Sequence, residues 1–154
     1  TWGNQKYQYY ETICGGTGAG IYESGKLYDG TSGVHSNMTN SRLTDPEILE
    51  SRFPVLLEEF SIRSNSGGSG IAKGGNGVIR KIRFLQKMNL SIISGHRQVP
   101  PPGLNGGGVG KVGKSIIFKD SGEKIVLNPC DKVTLNKNDI LLIKTPGGGG
   151  CGYV

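Results

Sequence analysis

The alternation of short apolar runs with clusters of glycine constrains the fold of this chain more than any other feature of its sequence. The 154 residues include 27 glycines and 7 prolines. The glycines follow no three-residue period, which excludes a collagen triple helix. They lie between the apolar runs, where turn residues are expected. The chain is therefore predicted to consist of many short extended segments joined by glycine-containing turns.

The second half of the chain contains a series of short segments with the apolar alternation of β-strands. In the first of them, the basic residues Arg80, Lys81 and Arg83 are predicted to lie on outer positions. The spacing of the series predicts a mainly β fold, an antiparallel β-sandwich or barrel-like module with one or two short helices. The predicted strands occupy residues 78–85, 88–93, 115–119, 124–127, 132–135 and 140–144.

One helix is predicted in the first half of the chain. Thr44 or Asp45 can cap its start, Pro46 suits the first turn, and a glutamate follows at the capping-box distance. Pro54 ends the helix, because a proline disfavours helical backbone at the residue before it. Residues 54–63 can then continue as helix or form a strand, and the alternation of their second half favours a strand.

The first ten residues are aromatic and polar. Tyr7 and Tyr9 alternate, which indicates an extended segment with one aromatic face, and Trp2 and Tyr10 lie close by in the sequence. If these rings form one exposed patch, they mark an interface with a missing partner. If they are buried, they belong to the core of the chain itself.

The chain is long enough for one domain with a modest core. Within a single module of residues 1–154, residues 1–64 hold a glycine-rich loop, the stretch around His35 and the short helix, and residues 65–154 hold the antiparallel β region. Residues 65–76 form a Gly/Ser loop that is compatible with disorder. The four glycines at 147–150 either line a ligand or an interface, or form a flexible tail. The sequence begins without methionine and stops just after these glycines, so we expect it to be part of something longer.

Charge and cysteine usage exclude several classes of protein. The net charge is +6, but the lysines and arginines are spread along the chain and do not form the basic patch of a nucleic-acid-binding protein. Three cysteines without short spacing give neither a disulfide framework nor a zinc ribbon. No signal peptide or long apolar run is evident, so we expect a cytoplasmic protein with reduced thiols and no membrane segment.

Residues 108–115 match the phosphate-loop pattern GxxxxGK[ST], in which Lys114 would reach the phosphates of a nucleotide. That loop requires a buried strand before it and a helix after it. Here prolines precede the pattern, and the residues after it are predicted to form a strand, which favours a surface loop. A helix that begins near Ser115 would support ATP binding, and a strand there would exclude it.

His35 lies in the densest polar stretch of the chain, residues 29–54. A histidine near Asp29 and Asn40 could act as a general base or as a metal ligand. The alternative is a structural histidine that fixes a loop through hydrogen bonds. One histidine and one aspartate are too few ligands for a complete metal site. His96, at the end of a predicted strand, is interpreted as a surface residue.

Several stretches together resemble the C-terminal part of the hydantoinase B/5-oxoprolinase family, and they run through nearly the whole chain in the order of that family. The similar stretches are YYETICGGTGAG (9–20), DGTSGVHSNMTNSRLTDPEILESRFPV (29–55), SGGSGIAKGGNGVIRKIRF (66–84), PPGLNGG (101–107) and KNDILLIKTPGGGGCG (137–152).

The resemblance implies a portion of an ATP-dependent hydrolase subunit that opens cyclic amides of the 5-oxoproline or hydantoin type. It implies His35, Asp29 and Asn40 as residues that face the active site, and we add Arg63 as a candidate contact for an anionic group. The complete enzyme would use ATP and a divalent metal, neither bound by this portion, which is expected to be inactive in isolation. Its partners would be the rest of the subunit and an actin-like, ATP-binding hydantoinase A-type subunit or domain.

The chain departs from the pattern of that family at motif positions. The family usually has VHTHMTN and RGGDG, whereas Asn37 and Asn76 stand here at the second histidine and the aspartate. Cys151 replaces the tyrosine of the terminal GGGGYG. These departures leave an alternative open, a non-catalytic structural or interface module or a diverged, inactive remnant of the family.

Overall fold

The computed structural model describes residues 1–36 and 40–153, which form antiparallel β-sheets and one helix. The elements are β1 (Trp2–Gly3), β2 (Gln8–Tyr9), β3 (Gly20–Ile21), β4 (Leu27–Tyr28), α1 (Pro46–Arg52), β5 (Val55–Ile62), β6 (Val78–Phe84), β7 (Met88–Ile93), β8 (Lys114–Phe118), β9 (Lys124–Val126), β10 (Cys130–Leu135) and β11 (Ile140–Lys144). A five-stranded sheet has the order β5-β6-β11-β8-β9, a four-stranded sheet has the order β10-β7-β1-β2, and β3 pairs with β4.

The two larger sheets contribute to one apolar core. Ile82 and Phe84 of β6 and Leu141 of β11 are buried together with Met88 and Leu90 of β7. Alternate residues of β6 and β11 point into this core because successive side chains of a strand point to opposite faces. The sheets do not close into a barrel, so the sandwich-like form of the predicted fold is the one that agrees with the structure. No helix in the described part of the chain is long and apolar enough to cross a membrane.

The helix begins and ends as its sequence predicts. The side chain of Asp45 accepts hydrogen bonds from the main-chain N–H groups of Glu47 and Ile48, and Pro46 occupies the first turn. The last helical residue is Arg52. The segment after it is a strand over the whole of β5, which resolves the choice left open for residues 54–63.

Arg80 corrects the prediction for β6. Its neighbours Lys81 and Arg83 lie on the outer face, but Arg80 is only 1% exposed and shares the inner face with Val78 and Ile82. Arg80 Nε and Nη2 donate to Glu11 Oε1 and Oε2, both at 2.9 Å. The bidentate ion pair provides the charge compensation that a buried guanidinium requires.

The aromatic residues near the start of the chain belong to the core. Trp2 is 3% exposed and packs against Tyr9, Phe53 and Phe84, with ring centroids 4.7, 5.3 and 5.6 Å apart. Tyr10 is exposed and does not join this cluster. The hypothesis that these rings form one exposed interface patch is therefore wrong.

The glycine-rich segments pack into a second core that contains almost no side chains, which we call the glycine bundle. Residues 146–151 lie at its centre, directly after β11, and segments 15–20, 66–70, 72–77 and 101–111 surround them. Main-chain hydrogen bonds connect the segments, among them Gly148 N to Gly75 O at 2.8 Å and Gly68 N to Gly148 O at 2.8 Å. In the bundle, the N–H and C=O groups of the backbone thus find hydrogen-bond partners on neighbouring segments, without the regular ladder of a β-sheet.

The central segment contacts its neighbours with a period of three residues. A Cβ atom at Gly147 or at Gly150 would overlap the backbone of residues 66–69, whereas one at Gly148 would overlap Thr17 and one at Gly149 would overlap Pro102. A three-residue period is the geometry of polyproline II-type backbone, which makes no internal hydrogen bonds and leaves its N–H and C=O groups for neighbours.

The bundle resolves two points that the sequence left open for the glycine-rich segments. Residues 147–150 are all buried, so they do not form a flexible tail. Residues 65–76 are ordered within the bundle, with Ser66 fully buried and its N–H bonded to the side-chain oxygen of Asn76. The loop at 15–20 allows close passage of backbones, because Gly16 lies directly against the backbone of Gly75.

Candidate functional site

The segment from Asp29 to Ser32 is fastened to one edge of the glycine bundle by its side chains. Asp29 Oδ1 accepts a hydrogen bond from Lys73 N at 2.7 Å, and Ser32 Oγ accepts one from Asn76 N at 2.9 Å. Thr31 N donates to Thr17 Oγ1 at 2.8 Å. The polar composition of this stretch thus has a structural use, since the side chains of Asp29 and Ser32 accept hydrogen bonds from main-chain N–H groups of a neighbouring segment.

His35 follows this segment. Val34 N donates to Gly15 O at 2.9 Å in an isolated antiparallel bridge, which sets the direction of the chain as it reaches His35. The histidine is half-buried, and its Nδ1 lies 3.4 Å from Ser41 Oγ. Asn40 is exposed, and Asn37 lies outside the described residues.

Arg63 lies directly after β5 and next to Gly77. Its Nη1 donates to the main-chain oxygens of Val112 and Thr145, both at 2.9 Å, and its main-chain N–H donates to Gly77 O at 2.8 Å. Gly33 N donates to Asn76 O, and Arg63 N donates to the next carbonyl, Gly77 O. The segment before His35 and the backbone of Arg63 therefore bind two adjacent residues. The structure thus brings Asp29, the His35 segment and Arg63 to the same part of the bundle, and shows no such anchor for Asn40 in the described residues.

Asn76 has a structural role at its motif position. Its Oδ1 accepts hydrogen bonds from Ser66 N at 2.8 Å and Gly67 N at 3.0 Å, and it lies 3.4 Å from Ser66 Oγ. All three contacts use one oxygen as an acceptor, which an aspartate also provides. The structural use of this position is therefore compatible with either residue.

An open cleft of about 750 Å³ separates parts of the two larger sheets. Its walls are largely apolar, and Glu11, Arg97 and Thr145 bring polar groups to it. Arg97, which the sequence interpretation did not assign to the site, follows β7 and is half-buried. Its Nη1 donates to Gly95 O at 3.0 Å, and its Nε is buried without a hydrogen-bond acceptor in the described residues. The apolar residues of the cleft include Ile13, Ile82, Leu90, Ile92, Leu141 and Ile143.

Glu11 lies where the cleft meets the core. Besides the ion pair with Arg80, its Oε2 accepts a hydrogen bond from Tyr9 Oη at 3.0 Å, and that hydroxyl also lies 2.9 Å from Thr44 Oγ1. Burial raises the pKa of Tyr9. This network joins the start of the chain, β6 and the residue before the helix cap. The sequence contains a signal for the burial of Arg80. Arg80 and Val78 are two residues apart in β6 and therefore lie on the same face of the strand.

The phosphate-loop hypothesis is wrong for residues 108–115. Lys114 begins β8, so a strand occupies the place where a nucleotide-binding loop requires a helix. Moreover, Gly108 N donates to Ser69 O and Gly110 N donates to Pro101 O. These N–H groups are committed to the bundle and cannot surround a phosphate.

The described residues contain no group of three or more histidine, cysteine, aspartate or glutamate side chains that could hold a metal ion. Residues 1–36 and 40–153 therefore do not provide a complete site of their own for the divalent metal that the family resemblance implies. All three cysteines are free, and Cys14 and Cys151 are buried. His96 is exposed, as predicted for a surface histidine.

The sequence is similar to known 5-oxoprolinases over nearly its whole length. It is 44% identical to the 5-oxoprolinase of Dictyostelium discoideum and 47% identical to 5-oxoprolinase 1 of Arabidopsis thaliana, each over 152 residues. Both alignments cover 99% of this chain and 12% of the relative. The chain thus spans about one eighth of the length of these relatives.

The fold is shared with a solved enzyme. The crystal structure of the ATP-dependent caprolactamase from Pseudomonas jessenii superimposes with a TM-score of 0.70 at 23% identity, over 90% of this chain and 24% of the enzyme chain. At this identity the likeness concerns the fold. The sequence model of the hydantoinase B/oxoprolinase family matches residues 1–154. The chain belongs to the hydantoinase B/oxoprolinase family.

Proposed function

We propose that this chain is the C-terminal portion of an ATP-dependent hydrolase subunit that opens cyclic amides of the 5-oxoproline or hydantoin type. The observation that carries the proposal is the identity of 44% and 47% with two 5-oxoprolinases along 99% of the chain. The shared fold with an ATP-dependent caprolactamase supports it, because caprolactam is also a cyclic amide.

The chemistry requires a positioned base. Resonance makes the amide carbonyl a poor electrophile, and ATP in the complete enzyme would activate its oxygen by phosphorylation. His35 then removes a proton from the attacking water as the new C–O bond forms. The ring C–N bond of this adduct breaks next, and the ring nitrogen leaves with the proton that His35 returns. The acyl phosphate that remains is hydrolysed to the open acid and phosphate. Asp29 and Asn40 face the same region in this proposal, and Arg63 binds an anionic group.

The anchoring of residues 29–35 supports this assignment. A general base must lie within hydrogen-bond reach of the water it activates, and small displacements reduce the rate strongly. The side chains of Asp29 and Ser32 and the bridge at Val34 hold the segment against the glycine bundle. The bundle thus acts as a rigid support for His35.

The remaining parts of the enzyme are proposed to lie outside this chain. They are the rest of the subunit and an actin-like, hydantoinase A-type subunit or domain that binds ATP. The divalent metal belongs with them, since the described residues provide no complete site for it. A cytoplasmic location without nucleic-acid or membrane partners is part of the same proposal.

The proposal is tested by ring opening in the complete protein that contains this chain, with an actin-like partner subunit present. We expect Mg-ATP to be required for conversion of 5-oxoproline or a hydantoin to the open acid, with phosphate released. Absence of turnover with every cyclic amide would favour the alternative of a non-catalytic module or an inactive remnant.

His35→Ala tests the assigned base in the same assay. We expect kcat to fall about 100-fold or more, the usual contribution of a general base. The matched control is Arg52→Ala, an exposed position in the last turn of the helix, which should retain the wild-type rate. Undiminished turnover of His35→Ala would remove this histidine from the mechanism.

A further inference from the structure

Two guanidinium groups meet at one junction of the backbone. Arg63 Nη1 donates to the carbonyls of Val112 and Thr145. Arg97 Nη1 lies against Gly113 so closely that a Cβ atom there would overlap it. Since Val112 and Gly113 are consecutive, the two arginines contact neighbouring residues of one segment.

The charges of this pair are not compensated within the described residues. Arg80 and Arg83 form salt bridges with Glu11 and Glu58, whereas no carboxylate of the described part pairs with Arg63 or Arg97. Burial lowers the pKa of both, and the charge of Arg63 lowers the pKa of Arg97 further. Two half-buried like charges are unfavourable unless an anion joins them.

The donors of Arg97 that remain are those suited to a carboxylate. With Nη1 bonded to Gly95 O, no hydrogen bond to the described residues uses Nε or Nη2, and Nε is buried. These two N–H groups form one side of the guanidinium fork, which matches the two oxygens of a carboxylate. A buried donor without an acceptor costs free energy, which a ligand oxygen would recover.

The cleft provides room for the body of such a ligand. Arg97 and Thr145 lie in its lining, next to the apolar side chains of Ile82, Leu90 and Ile143. An apolar cleft of several hundred Å³ with a few convergent polar groups is the usual form of a small-molecule site. Among the charged side chains of the lining, Glu11 is already paired with Arg80, whereas Arg97 has no carboxylate partner in the described residues.

We propose that Arg63 and Arg97 bind the carboxylate of the cyclic amide substrate, while its ring lies in the apolar cleft. This inference rests on the proposed function and makes it narrower. The preferred substrate is a lactam that carries a carboxylate, such as 5-oxoproline, and not a neutral lactam. Arg97 is then a residue that determines specificity, and Arg63 both supports the junction and completes the positive charge.

The test compares two ligands that differ only in the carboxylate, 5-oxoproline and 2-pyrrolidinone, by calorimetric titration of the complete protein. For Arg97→Met we expect at least a tenfold weaker affinity for 5-oxoproline, as for loss of a charge-assisted fork, and unchanged affinity for 2-pyrrolidinone. Arg97→Lys keeps the charge without the fork and should be intermediate. The control Arg52→Met removes the same charge at an exposed position of the helix and should bind as wild type does.

The outcomes separate this inference from the proposed function. Equal affinity of wild type and Arg97→Met for 5-oxoproline overturns the inference, even if the enzyme turns over. Failure of the wild type to bind 5-oxoproline also overturns it. Loss of binding in Arg97→Met, seen in a protein that opens no ring, supports the carboxylate site and removes the proposed hydrolase function.

Discussion

The sandwich and the glycine bundle are two cores of one chain, and they are stabilised in opposite ways. In the sandwich, side chains such as Phe84 and Leu49 fill the space between sheets and are completely buried. In the bundle, main chains touch, and the space that a Cβ atom of Gly148 would need is occupied by Thr17. The sandwich loses stability when atoms are removed, whereas the bundle loses it when atoms are added.

The difference has a consequence for the site. A core of main-chain hydrogen bonds leaves little freedom for its segments, because many of their N–H and C=O groups have partners on neighbouring segments. The hydrogen bonds of residues 29–35 attach this segment to that core. The candidate base thus lies on the less adjustable of the two regions, and the cleft with Arg97 lies on the border between them.

The largest expected effect is that of a single methyl group in the bundle. Gly148→Ala places a Cβ atom on the backbone of Thr17, which cannot rotate away as a side chain can. We expect a loss of about 4 kcal/mol or more in the free energy of unfolding, at the upper end for overpacking. Chemical denaturation of both proteins measures it.

Gly95→Ala is the control for this prediction. Nothing lies within 4 Å of a Cβ atom built at Gly95, so the variant should stay within about 0.5 kcal/mol of wild type. If Gly148→Ala is tolerated equally well, the bundle is not close-packed and the contrast between the two cores fails.

The next effect is expected from the buried ion pair of the sandwich. Glu11→Ala leaves Arg80, which is 1% exposed, without its partner and should cost about 3 kcal/mol. Glu58→Ala breaks exposed pairs with Lys81 and Arg83 on the other face of the same strand and should cost less than about 1 kcal/mol. If the two variants lost the same free energy of unfolding, the position of an ion pair on the buried or the exposed face of β6 would not determine its contribution to stability.

Acid should destabilise the sandwich in particular, because the ionised carboxylate of Asp139 stabilises one corner of it. Asp139 is buried between β8 and β11 and accepts hydrogen bonds from Lys119 Nζ, Asn136 N and Asp120 N. Burial alone would raise the pKa of Asp139, but these hydrogen bonds together lower it below its ordinary value of 3.8. Such a group stabilises the fold above its unfolded pKa, and the contribution disappears as the pH falls through the folded pKa.

Asp139→Asn should therefore lower the free energy of unfolding by about 2 kcal/mol at pH 7, as for lost hydrogen bonds to a charged group. The difference from wild type should shrink below about pH 3.8, the ordinary pKa of this carboxyl. Denaturation curves across this range measure it, and a difference that stays constant with pH would contradict the role of the ionised form.

The smallest effect is expected from Asn76→Asp. The aspartate offers the same acceptor oxygen to Ser66 and Gly67, so stability should change by less than about 0.5 kcal/mol. Asn76→Ala removes that acceptor and should cost about 2 kcal/mol. A large difference in turnover between the wild type and Asn76→Asp, at equal stability, would indicate a chemical role that these hydrogen bonds do not explain.

The sandwich could be predicted from the sequence because its signals are local. Alternation within β6 to β11 and the cap at Asp45 each depend on neighbouring residues. Arg80 is the exception, because its charge favours an outer position whereas the alternation of β6 places it on the same face as Val78 and Ile82. Its burial depends on Glu11, a partner distant in the sequence, which local signals do not reveal.

The bundle could not be predicted in the same way. Glycine has no side chain to create a periodic pattern, and the partners of residues 146–151 lie near residues 16, 68, 75 and 108. The phosphate-loop match at 108–115 arose from this composition. Of the site, His35 and Asp29 follow from the family resemblance and stay predictions, whereas Arg97 emerges only when the junction at Val112–Gly113 is seen in three dimensions.

Amide hydrogen exchange tests most directly whether the glycine-rich segments form a folded core that supports the His35 segment. The N–H groups of Gly75, Gly148 and Gly150 donate to main-chain oxygens across the bundle. We predict that in the complete protein they exchange as slowly as the paired N–H groups of β6 and β11, since opening them requires cooperative unfolding. Exchange at the rate of exposed loops would contradict this account and leave His35 without a rigid support.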